Sequence, residues 1–199
     1  MKITLPKPKY DGEISIEEAI LHRRSIRNYI NQPLTLQEVS QLLWSAQGMT
    51  NTYGNRTPPS AGATYPLETY IVVGDVDGIS EGIYRYNPQQ YELIKVLEGQ
   101  HREALAKAAL NQWFIAEAPL DIVSPSIYKR TTARYGERGI RYVHMEAGHA
   151  AENVCLQAVA LNLGTVVIGA FNDDRVSDIM ALDDNEVPLY IMPVGRTTD

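Results

Sequence analysis

Apolar residues recur at helical spacing over two long stretches of the chain and run in strand-like blocks over several shorter ones. From Leu36 to Gln47, Val39, Leu42, Leu43 and Ala46 fall on one helical face. Thr35 ahead of them and Glu38 within the first turn form a capping-box signature, and Gly48 supplies a stop. From about Arg141 to Leu163 the positions Val143, Ala147, Ala151, Val154, Ala158 and Leu161 predict the longest helix, with Gly164 just past its end. Many of these residues are small, which permits close packing of helix on helix. A shorter helix is predicted from Ser15 to His22, again with a capping pair, Ser15 and Glu18. His101 to Gln112 reads as an Ala-rich helix followed by an apolar knot of Trp113, Phe114 and Ile115. Asn172 or Asp173 can cap a last helix through Met180.

Leu67 to Val73 reads as a buried strand. Ile83–Asn87 and Tyr91–Val96 alternate on either side of Pro88-Gln89-Gln90 and predict a hairpin. Asp121–Val123, Thr165–Ile168 and Leu189–Val194 are further strands. Residues 1–14, with Pro6 and Pro8, read as an extended arm, either loose or laid on a neighbour. Residues 49–66 form a long Asn-, Thr-, Gly- and Pro-rich loop, of a length that is usually functional or disordered. Ser124 to Gly139 shows no clear period but carries Lys129, Arg130, Arg134 and Arg138. Hairpin strands mixed with several helices, without a repeat, predict an α+β fold in a single domain over 1–199.

Composition narrows the function classes. The chain has 199 residues, 44% hydrophobic and 21% charged, as expected of one globular domain. A formal net charge of -6 disfavours nucleic acid and anionic membrane as partners. The lone cysteine, Cys155, rules out an intrachain disulfide and a multi-cysteine metal site. With no signal-like start and no run of about 18 apolar residues, the expected location is the cytoplasm.

Against that acidic background Arg23-Arg24-Ser25-Ile26-Arg27-Asn28-Tyr29 stands out. Its guanidinium groups are planar forks of donors that stay charged at any working pH. Spacing alone leaves two readings open: a site for a phosphate plus a second electron-rich group, or a solvated helix end complementing the dipole. Other catalytic patterns are absent: no G-x-G-x-x-G after a strand and no phosphate-binding loop of the G-x-x-x-x-G-K type. His144 and His149 are five apart, too far round a helix to share one face, so no metal site is expected at His144, Glu146 and His149. Cys155, among Val154, Leu156 and Ala158, reads as a small core residue.

Four separated pieces together resemble one family. Arg23 to Tyr29 resembles the N-terminal flavin-phosphate motif of the nitroreductase-like FMN oxidoreductases. Pro59-Ser60-Ala61-Gly62-Ala63-Thr64-Tyr65-Pro66-Leu67-Glu68 is similar to the Pro-Ser-Ala-Gly loop of their SagB-type dehydrogenase branch. Arg141-Tyr142 through Glu146-Ala147-Gly148-His149 to Asn153 resembles that branch's central helix. Gly164, Ile168-Gly169-Ala170-Phe171 and Pro193-Val194-Gly195-Arg196 are similar to its late flavin-binding turn and C-terminal basic residue. The resemblance implies a mostly antiparallel central sheet flanked by helices, in an intertwined homodimer with FMN at the subunit interface. It implies that Arg23, Arg24 and Ser25, with Arg196, hold the phosphate and ribityl end. Arg27 would reach the pyrimidine side, where a fixed cation favours the reduced form. Pro59, Ser60, Ala61 and Gly62 would come from the other subunit to cover the ring, and the backbone of Gly169 and Ala170 would lie beside it.

One departure redirects the expected activity. The azoline-oxidising members are expected to carry Lys-Tyr where this chain has Arg134-Tyr135. A guanidinium keeps its proton, so Arg134 cannot act as a base; Tyr135 remains the candidate proton donor or substrate contact. The expected function is therefore ping-pong electron transfer from NADH or NADPH to a small electron-poor acceptor, a nitroaromatic or a quinone. The alternatives are azoline oxidation in a modified peptide and flavin binding without turnover.

Overall fold

A computed structural model of the chain describes residues 1–198. Among these residues seven strands form one sheet: β1 (Lys2–Thr4), β2 (Tyr70–Val73), β3 (Gly82–Asn87), β4 (Glu92–Glu98), β5 (Leu120–Ser126), β6 (Leu163–Thr165) and β7 (Val187–Arg196). Their order across the sheet is β1-β4-β3-β2-β5-β7-β6, and every neighbouring pair is antiparallel. Among the described residues seven α-helices flank it: α1 (Ile16–His22), α2 (Leu36–Gln47), α3 (Arg102–Ala108), α4 (Phe114–Glu117), α5 (Tyr128–Tyr135), α6 (Arg138–Ala160) and α7 (Asp173–Met180). The predicted α+β class with an antiparallel sheet is what the chain adopts.

The alternation of β2 explains the layering. Ile71 and Val73 face one core, with Leu42 and Leu43 of α2 and Val154, Cys155 and Ala158 of α6. Tyr70 and Val72 face the other, with Leu105 of α3, Ile115 of α4 and Val176 and Met180 of α7. Both faces of the central strand are covered, so its sequence is continuously apolar rather than alternating with polar residues.

Several boundaries differ from the sequence-based expectation. The arm is not loose: β1 pairs with β4, Ser40 donates to the Pro6 carbonyl, and Lys9 N–H reaches Gln41 Oε1 at 2.8 Å. The Ala-rich helix stops at Ala108 because Leu110 and Asn111 turn left-handed, at φ 58 and 62°. The segment expected to lack a period completes β5 and then forms α5. The longest helix starts at Arg138 and ends at Ala160; Asn162, at φ 55°, makes the turn, and Gly164 lies within β6 rather than past a helix end. Thr35 and Glu38 cap α2 reciprocally, Ser15 caps α1 through the Glu18 N–H, and Asn172 caps α7.

Candidate functional site

The Arg-rich motif is held along the sheet edge by backbone pairing. Arg23 closes α1 with its N–H on the Ala19 carbonyl. The chain then runs beside β6: Ser25 bridges Thr165, and Ile26 N–H donates to the Thr165 carbonyl at 2.9 Å. Tyr29 Oη donates to Ile26 O at 2.9 Å and Pro193 O lies at 3.2 Å, while Ile30 N–H reaches Arg196 O at 3.0 Å. Gly164 and Gly195, directly opposite each other in register, make the approach feasible. A Cβ on Gly164 would sit 2.7 Å from Ile26 Cγ2, and one on Gly195 2.8 Å from Tyr29 Cδ1. The Arg23–Tyr29 segment and the C-terminal strand thus meet at one edge of the sheet, opposite the edge that β1 occupies. The Tyr29 phenol, half-buried there, has its pKa pushed up by desolvation and then by the Asp121 carboxyl, with Arg27 acting against both.

The side chains of the motif point to different tasks. Arg23 Nε stands 4.0 Å from Glu152 of α6, with a third of its side chain exposed. Arg24 turns back on α1, donating from Nη1 to the carbonyls of Leu21 at 3.0 Å and Arg23 at 2.7 Å. That is the helix-end role which spacing had left open. Arg27 is exposed, with its guanidinium 5.8 Å from the centre of the Phe114 ring. Arg196 faces inward: its Nη2 donates to both carboxylate oxygens of Glu38, at 3.0 and 3.1 Å, and its Nε is buried without a partner. Glu38 also accepts from Thr35 N and Oγ1, each at 2.8 Å. The guanidinium expected beside a phosphate is therefore also the strut of the α2 cap.

Gly169 and Ala170 are exposed, and a Cβ on Gly169 would meet only the Tyr190 ring, at 3.7 Å. Ile168 fixes them by exchanging hydrogen bonds with Ile191, and Gln112 Nε2 donates to Ala170 O at 3.0 Å.

The loop is fastened elsewhere. Ala61–Ala63 form a short 3-10 turn with Gly62 left-handed at φ 61°. Ser60 Oγ accepts the Tyr65 N–H at 2.9 Å. Thr64 and Thr131 share a hydrogen bond of 2.8 Å, and Arg130 Nη1 donates to Tyr65 O at 3.0 Å. Arg134 Nη1 reaches Gly62 O at 3.2 Å, and a Cβ on Gly62 would lie 2.6 Å from Tyr135 Oη. Tyr135 packs edge-on against Tyr142 at 5.2 Å. Arg134 is thus a strut for the loop, and Tyr135 places its hydroxyl against the loop's glycine. No hydrogen bond or ion pair among the described residues joins this loop to the Arg motif within one chain. A cleft of about 410 Å³ between α1, α6 and β6 is lined by Arg24, Ile26, Cys155 and Gly164; Arg27, Gly62 and Gly169 do not line it.

Sequence reasoning gave Glu146 no role of its own, quoting it only within the His144–His149 trio and the central-helix run. The structure separates that trio: His144 Nε2 lies 2.5 Å from Tyr128 Oη, His149 is exposed, and Glu146 is buried beneath the loop. No metal-holding group of these residue types is present among the described residues. The available signal was an acid on the same helical face as Val143, Ala147 and Ala150. Cys155 is buried, and burial pushes its thiol up to about 11, as suits a core residue.

Known proteins are similar to this chain in sequence and in fold. A protein of Methanocaldococcus jannaschii, provisionally named a nitroreductase, is 48% identical over 98% of this chain and 96% of its own length. The trifolitoxin operon protein TfxC of Rhizobium leguminosarum bv. trifolii is 26% identical over 90% of this chain and 55% of its own. A crystal structure from Ralstonia eutropha, also provisionally described as a nitroreductase, superposes with a TM-score of 0.87 at 29% identity, covering 100% of this chain and 90% of that one. The profile of the Nitroreductase family matches residues 20–196, and with nearly the whole chain accounted for, this protein belongs to the Nitroreductase family.

Proposed function

We propose that this chain passes electrons from NADH or NADPH to a small electron-poor acceptor, a nitroaromatic or a quinone, in a ping-pong cycle. It is an FMN-dependent oxidoreductase of its family. The residues present suit that cofactor. Arg23 keeps donors available, since its one ion-pair contact is at 4.0 Å. Arg27 is exposed, and the backbone at Gly169 and Ala170 is uncovered. The single observation that carries the reading is the convergence of the Arg23–Tyr29 segment with β6 and β7 across the Gly164–Gly195 pair.

When bound, the flavin supplies the two-electron chemistry. The chain's share is binding and electrostatics. Arg23 and Ser25 would donate to the phosphate, with charge-assisted bonds from the guanidinium. Arg27 would place its fixed charge by the pyrimidine end, and Gly169 and Ala170 would offer backbone without side-chain bulk. Arg196 would join the phosphate only by sharing its guanidinium with Glu38. Pro59, Ser60, Ala61 and Gly62 would cover the ring from a second copy, and Tyr135 would stand behind that loop as the candidate proton donor.

A homodimer is supported by uncovered apolar side chains on α1 and α6: Ile16, Ile20 and Leu21 are 57, 59 and 65% exposed, and Met145 is 51% exposed. The cytoplasm is the proposed location, supported by the reduced nicotinamide the reaction draws on; no helix among the described residues is long and apolar enough to cross a membrane.

A second reading, oxidation of an azoline in a modified peptide, is favoured by the likeness to the trifolitoxin operon protein. The Arg134 strut argues against it, because a charged guanidinium that donates to Gly62 O has no lone pair with which to accept a proton. Anaerobic mixing of the purified protein with NADH or NADPH, then with menadione or a nitrofuran, decides among these. The expected protein is a yellow dimer, bleached by the nicotinamide and recoloured by the acceptor. Slow bleaching with no acceptor indicates a flavin-binding protein without turnover, and turnover of an azoline peptide supports the second reading. A colourless monomer that takes up no FMN overturns all three.

A further inference from the structure

Two arginines line one cleft without an acid to neutralise them. The cleft, of about 250 Å³, lies where β3 ends and β2 begins, among Arg56, Glu68, Arg85, Tyr86, Asn87 and Ile94. Among the described residues neither Arg56 nor Arg85 forms an ion pair; the carboxylate of Glu68, the one acid lining the cleft, goes to Arg130 at 2.5 Å. Arg56 Nη1 donates to neutral acceptors, Gln47 Oε1 at 2.9 Å and Leu67 O at 3.4 Å. Both arginines are half-buried. Tyr86 is 2% exposed, and its hydroxyl is buried with no hydrogen-bond partner among the described residues. Asn87 is already engaged: its amide donates to Glu92 Oε1 at 3.3 Å and its oxygen accepts the Gln89 N–H at 3.2 Å.

Charge and donors together call for an anion. With Glu68 and Arg130 cancelling, Arg56 and Arg85 leave the cleft positive in a chain whose net charge is -6. Buried polar side-chain groups are rarely left unpaired, so the Tyr86 hydroxyl marks a place for an acceptor. A phenol keeps its proton at neutral pH and can donate to one. Guanidinium forks make their strongest bonds to carboxylate and phosphate oxygens. The volume falls below the roughly 300–1,000 Å³ of sites that take drug-sized ligands, which favours a small anion over a nucleotide. Arg56 also closes the stem of the 49–66 loop. Its backbone bridges Met49, its N–H reaches Tyr65 Oη at 3.2 Å, and its guanidinium lies 4.9 Å from the Tyr65 ring. Through Nη1 it ties Gln47, before the loop, to Leu67, after it.

We propose that this cleft binds a small oxyanion, phosphate or a short carboxylate, held by Arg56 and Arg85 with the Tyr86 hydroxyl as a third donor, and that its occupancy steadies the 49–66 loop. The site stands apart from the flavin reading above; only the consequence for flavin cover rests on that reading.

Inorganic phosphate and acetate are the probes, against chloride at matched ionic strength. The protein is saturated with FMN, so that the cofactor's own phosphate contacts are filled. Calorimetric titration is expected to show one saturable site for an oxyanion, and the tighter of the two probes names the source. Tyr86→Phe removes one hydroxyl from an otherwise unchanged ring and is expected to weaken binding at least about tenfold, the effect of one hydrogen bond to a charged group. Arg85→Gln is expected to abolish saturation. Glu68→Gln, which removes the one acid lining the cleft, is expected to tighten binding severalfold. Circular dichroism confirms that each variant is folded. Chymotrypsin reports on the loop through the bond after Tyr53, which is 91% exposed. Its cleavage is expected to slow severalfold under saturating oxyanion in wild type, and not in Arg85→Gln. If the protein takes up no flavin, the flavin reading fails and the cleft is tested separately: oxyanion binding that survives Arg23→Ala but not Arg85→Gln belongs to the cleft. The proposal is overturned, with the flavin reading intact, by any of four results: no saturable oxyanion binding, chloride binding as tight as either oxyanion, binding untouched by Tyr86→Phe and Arg85→Gln, or loop cleavage indifferent to a bound oxyanion.

Discussion

Replacing Glu38 with Gln tests the strut that ties the C-terminal strand to a helix cap. Glu38 accepts from Thr35 N and Oγ1 at 2.8 Å and from Arg196 Nη2 at 3.0 and 3.1 Å. Its side chain is only 15% exposed and that of Arg196 22%, so solvent does not readily replace the lost partner. Gln keeps the shape and one acceptor for Thr35 but turns an NH2 or a neutral oxygen toward the guanidinium. A hydrogen bond to a charged group is worth about 1.5–3 kcal/mol. An acid in the first turn of a helix adds about 0.3–1 kcal/mol. The expected loss is about 2–4 kcal/mol, which for a chain of this size lowers Tm by roughly 4–16 °C. Calorimetry gives the Tm, and urea unfolding of Glu38→Gln, Arg196→Met and the double variant closes a cycle. The two changes should be coupled by about 1–3 kcal/mol, the double variant being much less destabilised than the sum. Single variants within about 0.5 kcal/mol of wild type, or strict additivity, would refute the assignment.

Arg23→Ala is expected to weaken FMN binding roughly 10- to 150-fold, from about 1.5–3 kcal/mol of charge-assisted bonding to phosphate; a fluorescence titration at wild-type affinity sinks the phosphate role. Gly164→Ala should cost about 1–3 kcal/mol in urea unfolding, because the new methyl would lie 2.7 Å from Ile26 Cγ2 and 2.5 Å from Thr197 Cγ2. An unchanged midpoint would show that the Ile26 segment is not packed on β6 as described. The pH dependence of stability follows from Glu146, whose carboxyl is moved up from 4.5 to about 7. Below pH 4.5 the folded and unfolded chains both hold the proton, and above about 7 both have lost it. Between those limits only the folded chain holds it, so stability falls as pH rises through the window. Glu146→Gln should remove that slope from a series of urea unfolding curves, and an identical slope in the variant would count against a buried, proton-holding carboxyl.

Much of this protein was written in local pattern. The faces of α2 and α6, the Thr35–Glu38 box, the buried β2 and the hairpin of β3 and β4 depend on periodicity and short-range capping, which neighbouring residues carry by themselves. The order of the family motifs was legible for the same reason, since each is a short run of backbone and side-chain requirements. Tertiary structure decided what those runs touch. Residues 2–4 became a strand only because β4 offered an unpaired edge far along the chain. Arg196 went to Glu38 of α2, Arg24 to its own helix end, and Arg134 to a loop carbonyl, because a guanidinium takes whichever acceptors packing brings within reach. Glu146 is the sharpest case. Its helical position is set by spacing, but the desolvation that pushes its carboxyl up comes from burial in the fold, and burial by distant segments leaves no mark on the local sequence.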